Sequence, residues 1–224
     1  MSRIYCISGL GADEKIFCNL NISGFTLQYM PWLKPKPKET IVQYSKRMAV
    51  SIEDSQPVLL GVSFGGMVAI EISKHIRVSK LIIISGIKTS KELPSWMRIA
   101  GKLRLNKILP VKSNKLTEKF DNEQLGVTTE EERILVNHYR KIADSSYLNW
   151  AIHEVLNWKN DSHPEAIFHI HGNRDKMFPI RNIKPTHIIE GGTHIMILNR
   201  AEEVSKCINT IMQTQQTLNK IFEP

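Results

Sequence analysis

Ser63 is the first residue whose surroundings suggest chemistry. It lies in Gly61-Val62-Ser63-Phe64-Gly65, a G-x-S-x-G pattern, after the apolar run Val58–Val62 and before Met67-Val68-Ala69-Ile70-Glu71-Ile72-Ser73. A serine on a sharp strand-to-helix turn has constrained backbone angles and a hydroxyl that projects above the sheet. Glycine is needed two residues before and two after, where a β-carbon would meet neighbouring chain. The plainer readings are an ordinary Gly-rich turn or a phosphate loop. A phosphate loop wants G-x-x-x-x-G-K-[ST], and no lysine follows Gly66 at the required place.

A serine hydroxyl is a weak nucleophile alone. It needs a base to take its proton and an acid to orient that base. Two candidates stand late in the chain. Asp175 lies in Gly172-Asn173-Arg174-Asp175, after an apolar run at residues 166–171. His194 ends Gly191-Gly192-Thr193-His194, after a run at residues 186–190. Glu190, four residues before His194, is the reserve acid. His169 and His171 alternate along their run and point to one face. With Asp175 they suggest a metal set, but no further ligands stand at suitable spacing. The plainer reading is a buried strand histidine beside a loop histidine, and no metal is expected.

These residues need elements to position them. Unbroken apolar runs at residues 3–8, 25–29, 58–62, 80–85, 166–171 and 186–190 alternate with helix-like segments at about 13–20, 40–52, 64–76 and 195–218. Such runs predict a mostly parallel sheet of about six strands with helices on both faces. Its loops at the strand carboxyl ends should carry the site, which puts Ser63, Asp175 and His194 together. From Pro94 to Trp158 the rhythm changes to helices alone, with Thr129 a candidate N-cap before Glu130, Glu131 and Glu132. The expected organisation is one domain over residues 1–224 with a helical cap inserted at residues 88–160.

Composition agrees with a globular domain. At 224 residues the chain can bury a sizeable core, and no run of apolar residues is long enough to span a bilayer. Three cysteines without C-x-x-C spacing exclude a disulfide framework and point to a reducing cytoplasm. The net charge is +8, and the stretch from Trp96 to Thr117 has six basic residues and no acid. Such charge favours anionic surfaces or substrates. Trp96, Ile99, Ala100 and Leu103 share one helical face there, which gives a basic amphipathic helix. The plainer expectation is that its apolar face covers its own domain. No aromatic-basic module accompanies the charge, so nucleic acid is not an expected partner.

Taken together, the Gly61–Gly65 turn, the acid loop at Asp175, the histidine loop at His194 and the order Ser…Asp…His resemble the α/β-hydrolase superfamily over nearly the whole chain. Ser8-Gly9-Leu10-Gly11-Ala12-Asp13 resembles that family's oxyanion loop, although the family usually opens it His-Gly. The chain begins near the family's third strand. The resemblance implies Ser63 as nucleophile, His194 as base, Asp175 as orienting acid, and the backbone N–H groups of Leu10 and Phe64 as the oxyanion hole. It implies a serine hydrolase of esters or thioesters with a small-molecule acyl substrate and no cofactor. Lyase or acyltransferase chemistry with the same triad, and a non-catalytic binding module, are the alternatives. Among the cap tryptophans, Trp150 is the candidate substrate contact. The oligomeric state is not legible in the sequence.

Overall fold

The computed structural model describes residues 2–104 and 117–222, and the side chains of those up to residue 213. Lys107, Lys112 and Lys115 of the basic stretch therefore lie outside the described residues.

Six strands form one parallel sheet: β1 (Ser2–Ile7), β2 (Phe25–Tyr29), β3 (Val58–Val62), β4 (Lys80–Ile84), β5 (Ile167–Gly172) and β6 (His187–Ile189), in the order β2-β1-β3-β4-β5-β6. β3 and β4 are wholly buried, as apolar runs covered on both faces must be. Alternate residues serve opposite layers. Tyr5, Ile7, Leu59, Leu81 and Ile83 face α1 (Ile41–Ala49) and α2 (Phe64–Ser73). Ile4, Cys6, Leu60, Ile82 and Ile84 face the other layer. That layer holds the 3-10 turn Glu14–Phe17 and the two last helices, α7 (Met196–Asn199) and α8 (Ala201–Phe222).

Local signals set the helix starts. Thr40 and Gln43 form a capping box at α1, and Asp13 accepts from the Lys15 amide at the 3-10 turn. That turn stops at Phe17, shorter than the helix the sequence suggests. The last helical stretch breaks at Arg200 into two pieces.

Four helices lie between β4 and β5: α3 (Ser95–Lys102), α4 (Glu118–Leu125), α5 (Glu130–Ile142) and α6 (Ser145–Asn157). Thr129 and Glu132 cap α5 reciprocally. The expectation that the apolar face of α3 covers its own domain is overturned. Trp96, Ile99 and Leu103 are 53%, 55% and 62% exposed. Met97 and Gly101 dock instead. A β-carbon at Gly101 would overlap the Leu156 carbonyl, so the missing side chain lets α3 approach the backbone of α6.

Candidate active site

Ser63 joins β3 to α2 at φ +52°, a left-handed conformation that a non-glycine residue adopts only where its surroundings hold it there. The flanking glycines explain how. A β-carbon on Gly61 would overlap the Gly65 carbonyl, and one on Gly65 would overlap the carbonyls of Ile7 and Ser8 at the end of β1. A β-carbon on Gly66 would lie 3.3 Å from Ile83, so α2 runs close over β4.

The three residues expected to act together are brought together. His194 Nε2 lies 2.9 Å from Ser63 Oγ, and His194 Nδ1 lies 2.9 Å from Asp175 Oδ2. With Nδ1 protonated, the ring donates to the carboxylate and Nε2 accepts from the serine hydroxyl. Asp175 is 3% exposed and His194 7%, so the hydrogen bond between them is shielded from water, while Ser63 is half-buried. The second carboxylate oxygen, Asp175 Oδ1, accepts from the Phe178 amide at 2.9 Å. The Phe178 ring meets the His194 ring edge to face at 5.4 Å. Glu190, the reserve acid, is exposed and accepts from Asn173.

Sequence reasoning missed the support behind Asp175. His171 is not a loop histidine: it lies in β5 and is fully buried. Its Nε2–H donates to the Phe178 carbonyl at 2.8 Å and stands 3.6 Å from Asp175 Oδ2. Burial lowers its pKa, which keeps the ring neutral beside the carboxylate despite the opposing pull of Asp175. His169, equally buried, meets it edge to face at 5.1 Å, and burial holds its pKa well below the usual range. No cluster of potential metal ligands occurs among the described residues. The signal for His171 was its place two residues before the loop, on the strand face that ends at Asp175.

The loop after β1 passes beside the serine. A β-carbon on Gly9 would lie 3.8 Å from Ser63 Cβ. Ser8, standing where the resembling family has histidine, ties the loop together. Its hydroxyl donates to the Ala12 carbonyl at 2.7 Å and accepts from Trp32 Nε1 at 2.8 Å. Leu10 is half-buried on the same loop, and Phe64 is the first residue of α2.

An aromatic cluster backs this loop. Phe64 stacks on Trp32 at 5.5 Å and meets the edge of Trp150 at 5.9 Å. Trp150 also lies 4.3 Å from Tyr44 and donates through Nε1 to the Glu39 carbonyl, so its polar edge is already engaged. Tyr147, one turn earlier on α6, is nearer the loop. Its hydroxyl is buried without a hydrogen-bond partner among the described residues, and burial raises its pKa well above the usual range. Ala143 and Leu148 bracket Gly11. On the opposite flank Gly126, left-handed at φ +76°, sits so close to Thr193 that a β-carbon would overlap it. The segment between β4 and β5 therefore touches the loops on both sides of Ser63.

No known family profile matches the chain, and no curated protein matches it. Solved structures do. MenH from S. aureus aligns with TM-score 0.73 at 16% identity, over 96% of this chain and 94% of its own. A thermophilic esterase from Thermogutta terrifontis aligns with TM-score 0.65 at 14% identity, over 96% and 90%. The epoxide hydrolase of Bacillus megaterium aligns with TM-score 0.64 at 13% identity, over 95% and 94%. The chain has the α/β-hydrolase fold.

Proposed function

We propose that this protein is a serine hydrolase that cleaves carboxylic esters or thioesters through an acyl-enzyme. The observation that carries the reading is the continuous chain Ser63 Oγ–His194–Asp175, two hydrogen bonds of 2.9 Å on a turn held at positive φ. His194 Nε2 takes the serine proton as Oγ attacks the carbonyl carbon. Asp175 fixes the ring and stabilises the imidazolium that forms. The imidazolium then protonates the leaving alcohol or thiol. Water, deprotonated by the same nitrogen, attacks the acyl carbon and releases the acid, and the proton returns to Ser63.

The N–H groups of Leu10 and Phe64 are the proposed oxyanion donors. Phe64 opens α2, whose first amides have no partner within the helix and sit at the positive end of its dipole. Gly9 lies beside Ser63, which supports Leu10, the next residue of that loop, as the second donor. The helices at residues 88–160 act as a cap that selects the acyl group, with Tyr147 and Leu148 against the oxyanion loop and Trp150 behind Phe64. The free cysteines Cys6, Cys18 and Cys207 suit a reducing cytoplasm.

The reading is tested with a chromogenic acetyl ester and an acyl thioester. A burst of product equal to the enzyme concentration, with one acyl mass added on Ser63, is the expected result. Turnover that survives in Ser63→Ala would contradict it.

A further inference from the structure

The exposed stripe on α3 is not used by the proposed chemistry, and it has a definite surrounding. Three stripes divide this helix, roughly 100–150° apart at about 100° per residue. Met97 and Gly101 dock on α6 and are buried. Arg98 and Lys102 form a basic stripe, exposed, with Arg104 exposed just beyond the helix. Trp96, Ile99 and Leu103 form the exposed apolar stripe. Arg98 donates to Ser95 Oγ, and none of these cations makes an ion pair with a described residue. Their charge is therefore free to meet an outside anion.

We propose that α3 docks the protein reversibly on anionic lipid bilayers, with Trp96, Ile99 and Leu103 entering the headgroup–acyl boundary and Arg98, Lys102 and Arg104 meeting lipid phosphates. The chemistry selects a bilayer over a protein. A stable protein interface covers about 800 Å² on each partner, far more than three side chains offer. A bilayer accepts a shallow apolar stripe, and charge supplies much of the remaining attraction. The stretch from Trp96 to Thr117 holds no acid, and the chain as a whole carries +8, so attraction to an anionic surface begins before contact. Tryptophan suits the boundary, with an apolar ring and a polar N–H. The docked stripe of Met97 and Gly101 faces away from the apolar one by about two fifths of a turn, so α3 can lie flat on lipid while remaining seated on α6.

The full chain is sedimented with vesicles of phosphatidylcholine alone and with vesicles carrying about 30% phosphatidylglycerol, which imposes a negative surface potential. Binding is expected on the anionic vesicles only, and is expected to be lost in high salt. Trp96→Ser with Leu103→Ser should lower partitioning about tenfold with an unchanged melting temperature. Arg98→Gln with Lys102→Gln should lower it about twenty-five-fold, at roughly fivefold per charge. Equal binding to both vesicle types, no binding, or full binding by the Trp96/Leu103 variant overturns the proposal. So does a wild-type dimer that the same variant converts to monomer, because a second copy would then be the occupant. None of these readouts depends on hydrolysis, so the result stands apart from the fate of the catalytic reading.

Discussion

Every residue of β3 and β4 is buried, whereas α4, between β4 and β5, buries none of its residues. Of the nine large apolar side chains exposed among the described residues, six (Trp96, Ile99, Leu103, Phe120, Ile134 and Ile142) belong to the segment between those two strands. The sheet is held by two continuous apolar layers. The helical segment is held unevenly: α6 joins one apolar layer through Tyr147, Leu148 and Ala151, whereas α4 meets the rest through Gly126 on Thr193 and α3 leans on α6 through Gly101. The difference teaches a division of labour. Groups that must hold a hydrogen bond to a few tenths of an ångström stand on the turns that leave the buried strands, and exposed apolar groups stand on the least buried helices, α3 and α4.

The comparison breaks first at the acid. Asp175→Asn should lower kcat about 10⁴-fold with an unchanged fold, because the amide imposes the wrong tautomer on His194. Steady-state kinetics beside a circular dichroism spectrum checks this. A loss below tenfold would mean that the sheet-borne constellation is not the catalytic one.

Stability gives the next contrast. Leu59→Ala in β3 should cost about 3 kcal/mol, since it empties a site with 0% exposure between two packed layers. Phe120→Ala on α4, where the ring is 57% exposed, should change stability by less than about 0.5 kcal/mol. Urea unfolding of both variants measures the gap.

His171→Phe sharpens the account within the sheet. It removes the donor to the Phe178 carbonyl, and through that loop the hold on Asp175. A fall in kcat of roughly ten- to a hundredfold with little change in KM is expected, as small misplacements of catalytic groups cost that much. An unchanged kcat would make His171 a packing residue only.

The same strand predicts a pH dependence. His169 and His171 have pKa values lowered by burial from 6.5. Below 6.5 the unfolded chain binds protons that the folded state refuses. Stability is therefore full above 6.5 and falls as pH drops below it, by up to about 1.4 kcal/mol per pH unit for each histidine. Melting temperatures from pH 7.5 to 5.5 should show this slope, and His169→Phe should reduce it.

Much of this division was legible in the residues, and its limits were physical. The strands are apolar runs buried on both faces, so their pattern needs no tertiary knowledge. Ser63, Asp175 and His194 follow from their places after three of those runs. The direction of α3 was not legible. Periodicity tells which residues share a face but not which face docks, and here a glycine, Gly101, decides it by allowing the backbone of α6 to approach. Ser8 was hidden for another reason. Its partners, Ala12 and Trp32, come from two loops whose meeting depends on the β1–β2 pairing. His171 stood at the last place of its expected run, and because the strand continues to Gly172 its full burial beside Asp175 was not legible.

The smallest effect is expected at the boundary between the two regions. Tyr147→Phe removes a buried hydroxyl that lacks a well-made hydrogen bond, so the variant should melt slightly higher. If that hydroxyl meets substrate beside the loop after β1, KM should rise a few-fold while kcat holds, and a panel of acyl chain lengths measures it.

The most direct measurement of the central claim is covalent labelling of the purified protein by a fluorophosphonate probe, with the modified residue identified by mass spectrometry. The account predicts one phosphonyl group on Ser63, abolished in Ser63→Ala and strongly slowed in His194→Ala. An intact protein that hydrolyses a chromogenic ester yet carries the label elsewhere, or none at all, would contradict it.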